Sequence, residues 1–151
     1  MHVEAQVLNA GINNQRIQAV TAVVVAEPGR IRDSLGVLLK STSGLNPIEM
    51  VDKASVAIQL ISNRRPVLVF IDCSLPDNQP WHLLEWIKLE CPDVRCIVLA
   101  DNAGQQYFGK RVGADAALLK GFAVSELHTA IRELLTQIHQ GESSSLSEKY
   151  S

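Results

Sequence analysis

The sequence predicts an α/β domain, a doubly wound five-stranded parallel sheet of order 2-1-3-4-5 with helices on both faces. Three observations predict it. Short apolar, β-branched runs recur along the chain, stretches with helical spacing separate them, and turn residues punctuate the joints. Strands that read as near-continuous hydrophobic runs, rather than alternating ones, belong to sheets covered on both faces, and such sheets are parallel. Right-handed crossovers then leave few topologies, and this order sets strands one and three side by side at a switch point.

The elements follow in order. Residues 1 to 20 carry weak periodicity and the pair Asn13-Asn14, so they read as an arm or tail. Ala22-Val23-Val24-Val25-Ala26 has the length and branching of a buried strand and stops at Glu27-Pro28-Gly29, a turn signal. Ile31, Leu35, Leu38 and Leu39 then fall on one face of a helix. Pro47 to Val51 is a second, weaker strand, and Ala54, Ala57, Ile58 and Ile61 mark the next helix. Val67 to Ile71 is the clearest central strand, followed by the helix face Leu83, Leu84 and Ile87. Cys96 to Ala100 is a fourth strand, with a helix over Ala103 to Val112 that Gly113 stops, since glycine enters the left-handed region without steric cost. Ala116-Ala117-Leu118-Leu119 is the fifth strand, and Leu127, Ile131, Leu134, Leu135 and Ile138 define the last amphipathic helix. The resulting division is an arm over 1–20, one domain over 21–140 and a Ser-rich polar tail over 141–151.

Composition narrows the function classes. A chain of 151 residues, 46% hydrophobic and 20% charged, is a globular domain able to bury one core. Its net charge of -2, with no basic block, excludes the clustered Lys and Arg that nucleic-acid binding needs. Cys73, Cys91 and Cys96 form no C-x-x-C pair and lie near no His at metal-site spacing, so the expectation is a reducing cytoplasm and no zinc. No apolar stretch is long enough to span a bilayer, and no signal pattern opens the chain. Hydrolase, P-loop and dinucleotide fingerprints are missing, and His82, His128 and His139 have no ligand spacing. They are expected on solvated helix sides.

Two residues carry the chemistry. Asp72 ends the run Val67 to Ile71, and Lys120 ends the run Ala116 to Leu119. Ligands of an open parallel sheet bind outside the carboxyl ends of its strands, so an acid and an amine there can share one crevice. Glu27, after the first strand, is placed to join Asp72 at the switch point.

With Asp72 followed four residues later by Pro76, as Asp-Cys-Ser-Leu-Pro, and with Gly113-Ala114-Asp115 running into Leu118-Leu119-Lys120, the chain resembles the receiver domain of two-component response regulators over about residues 21 to 138. The resemblance implies a flavodoxin-like fold, Asp72 as phosphoacceptor, Lys120 as the partner of the phosphoryl group, and a magnesium ion held by Glu27, Asp72 and the Ser74 backbone carbonyl. The chemistry is coherent: a carboxylate nucleophile needs a hard cation and a fixed positive charge to offset the charge gathering on the transferred group.

The chain also departs from the family pattern. Ala26 stands where a second acid is usual, which weakens magnesium binding. Ala100 replaces a small hydroxyl residue, losing a phosphate contact, and Ala117 replaces the aromatic whose rotation reports the site's state. Two receiver readings stay open: an atypical phosphorylated receiver, or a pseudo-receiver that binds proteins independently of phosphate. A third, a magnesium-dependent phosphotransferase enzyme, wants another carboxylate close behind Asp72, where Ser74 stands.

With only a short, mostly polar segment after Ile138, the expectation is a stand-alone, cytoplasmic phosphorelay module rather than an enzyme, for which the resemblance implies a sensor histidine kinase or phosphotransfer protein upstream and a protein target downstream. The charge balance and the short apolar runs lead to the expectation of no direct nucleic-acid or membrane contact. A homodimer through the 105–138 face is expected, with Lys110, Arg111 and Asp115 pairing across it. Trp81 and Trp86, five residues apart, cannot both lie on the apolar face of their helix, so one is expected to be partly exposed.

Overall fold

The computed structural model describes residues 21–42 and 44–150, with side chains through residue 137. The elements run β1 (Ala22–Val25), α1 (Arg30–Lys40), β2 (Ile48–Val51), α2 (Ala54–Arg64), β3 (Leu68–Asp72), α3 (Gln79–Glu90), β4 (Arg95–Ala100), α4 (Ala103–Val112), β5 (Ala116–Leu119) and α5 (Val124–Tyr150). The sheet has five strands in the order β2-β1-β3-β4-β5, all parallel, as the sequence predicts. Strand ends differ from the predicted ones by a residue at most, a shift expected where pairing rather than propensity sets the boundary.

The central strands β1, β3 and β4 are buried on both faces, which is why they read as hydrophobic runs, while the outer strands β2 and β5 are half-buried. On one face Val23, Val25, Val69, Ile71 and Val98 pack against Ala57 and Ile61 of α2 and Leu83, Leu84 and Ile87 of α3. On the other, Val24, Phe70, Ile97 and Leu99 meet Leu35 and Leu39 of α1 and Leu127, Ile131 and Leu134 of α5. Burying such a side chain contributes roughly 1.5–3 kcal/mol, so the alternation along the strands fixes both helical layers. Helix α4 joins the first layer through a close approach: a Cβ on Gly109 would lie 2.8 Å from Val98 Cγ2.

Local chemistry sets the helix ends. The Asn102 side chain accepts a hydrogen bond from the Gln105 N–H at 2.8 Å and caps α4. Gly113, at φ +125°, ends it as predicted, its N–H donating to the Gly109 and Lys110 carbonyls. Helix α5 continues to Tyr150, through the segment set apart in sequence as a polar tail. That segment is Ser-rich but holds no proline, and its single glycine, Gly141, costs a helix only about 1 kcal/mol. The predicted arm, residues 1–20, lies outside the described residues.

Asp115 completes the ladder where β5 falls short. Its N–H donates to the Cys96 carbonyl at 2.9 Å, and its Oδ2 accepts the Cys96 N–H at 2.8 Å. Strand β5 pairs with β4 only from Ala116 opposite Ile97, so a carboxylate stands in for a missing backbone acceptor. Lys88 Nζ at 2.6 Å and Arg95 at 3.5 Å balance its charge. Within the chain, Lys110 Nζ donates to the Asp115 carbonyl, and the Arg111 guanidinium lies 5.9 Å from the Tyr107 ring centre. The Gln106 side-chain amide donates to the Ala117 carbonyl at 3.0 Å.

Both tryptophans are half-buried against the first core layer, and Trp81 meets Phe108 edge to face at 4.8 Å. A core between α2, α3 and α4 accepts residues from two sides of α3, so both tryptophans are covered in part and each keeps the partial exposure expected of one of them. His128 also departs from expectation: its Nε2 is buried without a hydrogen-bond partner, against the solvated position predicted for it. His82 is exposed as predicted, and the side chain of His139 lies outside the described ones.

Candidate functional site

Three strand ends build the site. Asp72 closes β3 and is 7% exposed, the one buried acidic residue among the described residues. Lys120 follows β5, its N–H donating to the Ala100 carbonyl at 2.9 Å, and this bond carries its side chain over the end of β4 toward β3. Lys120 Nζ lies 2.6 Å from Asp72 Oδ1, so the acid and amine singled out in sequence do meet. The Ser74 N–H donates to the same Asp72 oxygen at 2.8 Å. Asp72 Oδ2 has no hydrogen-bond partner among the described residues and is not sealed from solvent. One carboxylate oxygen is therefore held and the other is available.

The sequence reading missed Asp101. Its Oδ1 sits 2.6 Å from Lys120 Nζ, the same distance as Asp72 Oδ1. The Ser74 hydroxyl joins them, donating to both Asp101 oxygens at 3.2 Å and accepting from Lys120. One ammonium thus bridges two carboxylates and a hydroxyl. Burial alone would push Lys120 down, but its hydrogen bonds to Asp101 and Asp72 outweigh that and raise it above the ordinary lysine value. The Lys120 hydrogen bond, against a small opposing burial effect, holds Asp101 below the usual carboxylate range. The signal for Asp101 was the rule that picked out Asp72: it directly follows the apolar run of β4.

Cys73, the next residue along from Asp72, has its thiol pushed up to about 12 by burial and then by the Asp72 charge. A protonated, buried thiol is an inert packing group. Ala26 and Ala100 are fully buried and bring no oxygen to the site, so the two contacts found missing in sequence are missing in space as well.

Glu27 leaves β1, the strand beside β3, with an exposed carboxylate that makes no hydrogen bond or ion pair among the described residues. It lines a cleft with Asp52, Lys53, Pro76 and Gln79, while Asp72 faces Lys120. Arg32, on α1, points its guanidinium at the Ala26 carbonyl at 3.5 Å. No group of three or more His, Cys, Asp or Glu side chains gathers as a metal site among the described residues. The donors present, a free Glu27 carboxylate, the open Asp72 Oδ2 and the Ser74 carbonyl, fit a magnesium ion that keeps several waters.

A family model described as response regulator receiver domain matches residues 22–132. Among known proteins, the chain is 33% identical over 111 residues to the transcriptional regulatory protein BasR of Escherichia coli (strain K12), covering 72% of this chain and 50% of BasR. It is 30% identical over 125 residues to the response regulator MprA of Mycobacterium sp. (strain KMS), covering 82% of this chain and 54% of MprA. The chain spans about half the length of these relatives. Among solved structures, a CheY-like response regulator receiver domain protein from Methanospirillum hungatei JF-1 superposes with a TM-score of 0.70 at 24% identity, over 80% of this chain and 97% of that one. NtrX from Brucella abortus gives 0.72 at 24% identity, over 85% of this chain and 29% of that one.

Proposed function

The chain belongs to the response-regulator receiver domain family, and on that premise we propose that it is a two-component signalling module whose Asp72 accepts a phosphoryl group. The observation that carries this reading is the half-engaged Asp72 carboxylate, with Oδ1 fixed by Lys120 and Ser74 and Oδ2 open. Oδ2 attacks the phosphorus of a phosphohistidine, on a sensor kinase or a phosphotransfer protein. The P–N bond breaks, its electron pair returns to the imidazole, and an acyl phosphate forms on Asp72. The Lys120 ammonium, already beside the carboxylate, pairs with the incoming phosphoryl oxygens. Glu27, Asp72 and the Ser74 carbonyl would hold magnesium, which when bound supplies charge neutralisation for the phosphoryl group.

The module acts by changing its affinity for a protein target rather than by turning over a substrate, and it works in the cytoplasm. In support, no helix of the described residues is long and apolar enough to cross a membrane. A homodimer through the 105–138 face belongs to the same proposal. The exposed Tyr107, Phe108 and Leu119 on α4 and β5 give that face apolar area.

One observation favours a second reading, a phosphate-independent interaction module. Ala26 and Ala100 remove two groups that would recognise the phosphorylated state, and Lys120 already has two carboxylate partners. Tryptophan fluorescence separates the two readings through Trp81 and Trp86, by titration with magnesium and then beryllofluoride as a phosphoryl mimic. Under the first reading the wild type gives a saturable change that needs both ligands and is lost in Asp72→Ala. No change in a folded wild type would establish the second.

A further inference from the structure

Asp101 has no role in the acceptor chemistry described above, yet it is held as firmly as the groups that do. Its N–H donates to Gln105 Oε1 at 2.7 Å, and the Gln105 N–H in turn donates to the Asn102 cap, so the start of α4 fixes where Asp101 sits. Lys120 is fixed from the other side by its N–H bond to the Ala100 carbonyl, on the residue preceding Asp101. The two backbone anchors bring the ammonium within reach of Asp101, and it lies 2.6 Å from both Asp101 Oδ1 and Asp72 Oδ1.

Charge counting shows what this arrangement does. Unphosphorylated, two carboxylates share one ammonium, and the Ser74 hydroxyl satisfies Asp101 further. Phosphorylation replaces the single carboxylate charge of Asp72 with about two negative charges on the phosphoryl group, and the bridging ammonium keeps Asp101 Oδ1 within about 5 Å of Asp72 Oδ1. Asp101 repels the new anion and competes with it for Lys120. With Ala100 offering no hydroxyl, Ser74 is the hydroxyl nearest this cluster, and it too is engaged by Asp101.

Resting on the acceptor reading, we propose that Asp101 is a positioning residue that clamps Lys120 and Ser74 in the unphosphorylated site, and that it must release them before a phosphoryl anion on Asp72 can be held. The clamp sets how readily the site accepts the anion, and its release frees a carboxylate and a hydroxyl at the start of α4. Asp101 and the α4 N-terminus then report the state of Asp72 in place of the hydroxyl and aromatic that this chain lacks at Ala100 and Ala117.

The test compares wild type, Asp101→Asn, Asp101→Glu and Asp72→Asn in two measurements. In the first, beryllofluoride with magnesium is titrated by tryptophan fluorescence. Removing one nearby, partly screened charge is expected to tighten binding about five- to tenfold in Asp101→Asn. Asp101→Glu, which keeps the charge, is expected to stay within about twofold of wild type. In the second, the rate at which acetic anhydride modifies Lys120 is read by mass spectrometry at one fixed pH without ligand. Asp101→Asn is expected to raise it severalfold, with an unchanged melting temperature.

Weaker or unchanged beryllofluoride binding in Asp101→Asn, or an unchanged Lys120 rate, overturns the proposal. A raised Lys120 rate with no beryllofluoride response in any variant, wild type included, supports the Asp101 hold on Lys120 and overturns the acceptor reading instead. Binding in the wild type that persists in Asp72→Asn likewise counts against the acceptor reading alone.

Discussion

Replacing Asp115 by alanine removes one side chain and leaves three groups without their partner. The Cys96 N–H is fully buried in β4 and has Asp115 Oδ2 as its acceptor at 2.8 Å; Lys88 and Arg95 lose the carboxylate that balances them. A hydrogen bond to a charged acceptor contributes about 1.5–3 kcal/mol, and an unpaired buried N–H costs in the same range. The ion pairs add less, since the Lys88 and Arg95 side chains are 21% and 29% exposed and water screens them. The expected loss is about 2–4 kcal/mol, or roughly 5–15 °C in melting temperature for a chain of this length. Asp115→Asn keeps an oxygen that can accept the Cys96 N–H, so it is expected to lose about half as much. Thermal melts by circular dichroism give the stabilities, and amide exchange at Cys96 locates the effect. An alanine variant that melts within about 2 °C of wild type would refute the ladder argument. An asparagine variant as damaged as the alanine one would show that charge, rather than the missing acceptor, is what β4 needs.

Two further predictions concern the core. Burial raises the Cys73 and Cys96 thiols from the ordinary value of 9.0 to about 12. The unfolded chain ionises them near 9.0 and the folded chain near 12, so their contribution is complete below the first value and is lost as pH rises toward the second. Lys120, also raised, loses its contribution in the same direction. Denaturant midpoints should fall between these values, and the thiols should resist iodoacetamide at pH near 8 until the chain unfolds; rapid native labelling would contradict the burial. Gly109→Ala puts a methyl 2.8 Å from Val98 Cγ2, inside the core, with Trp81 3.7 Å away. A cost of about 1–3 kcal/mol and a shifted tryptophan emission are expected, whereas helix propensity alone would stabilise by about 1 kcal/mol. A gain in stability would mean that α4 is free to lift from the sheet.

The fold was legible because the central strands are buried on both faces, so a continuous run such as Cys96 to Ala100 announces both a strand and two covering layers. Asp72 and Lys120 were legible for a related reason, since strand ends in a parallel sheet converge. Asp101 satisfies the same rule and was passed over because it sits in a polar loop beside Asn102, where an acid is also what helix capping calls for. Its role depends on Lys120, 19 positions away, and only the β4–β5 pairing brings them together. Asp115 was noticed and assigned outward, because nothing in Gly113-Ala114-Asp115 tells that β5 starts one residue too late to pair Cys96. The side to which Glu27 turns, into a cleft with Asp52 and Gln79, is set by the loop after β1 and has no periodic signal.

The amide of Gln106 resting on the Ala117 carbonyl has a consequence for how copies of this chain can meet. Strand β5 closes one side of the sheet, and an outermost strand offers its unpaired backbone groups as a template for another chain's strand. Gln106 occupies one of those acceptors and lays α4 along the exposed flank, while the four-residue length of β5 leaves few others. Sheet-to-sheet extension, the route to runaway polymerisation, is thereby blunted. On this side of the sheet, helix surfaces remain as the route by which two copies could associate, which is the route the proposed dimer uses.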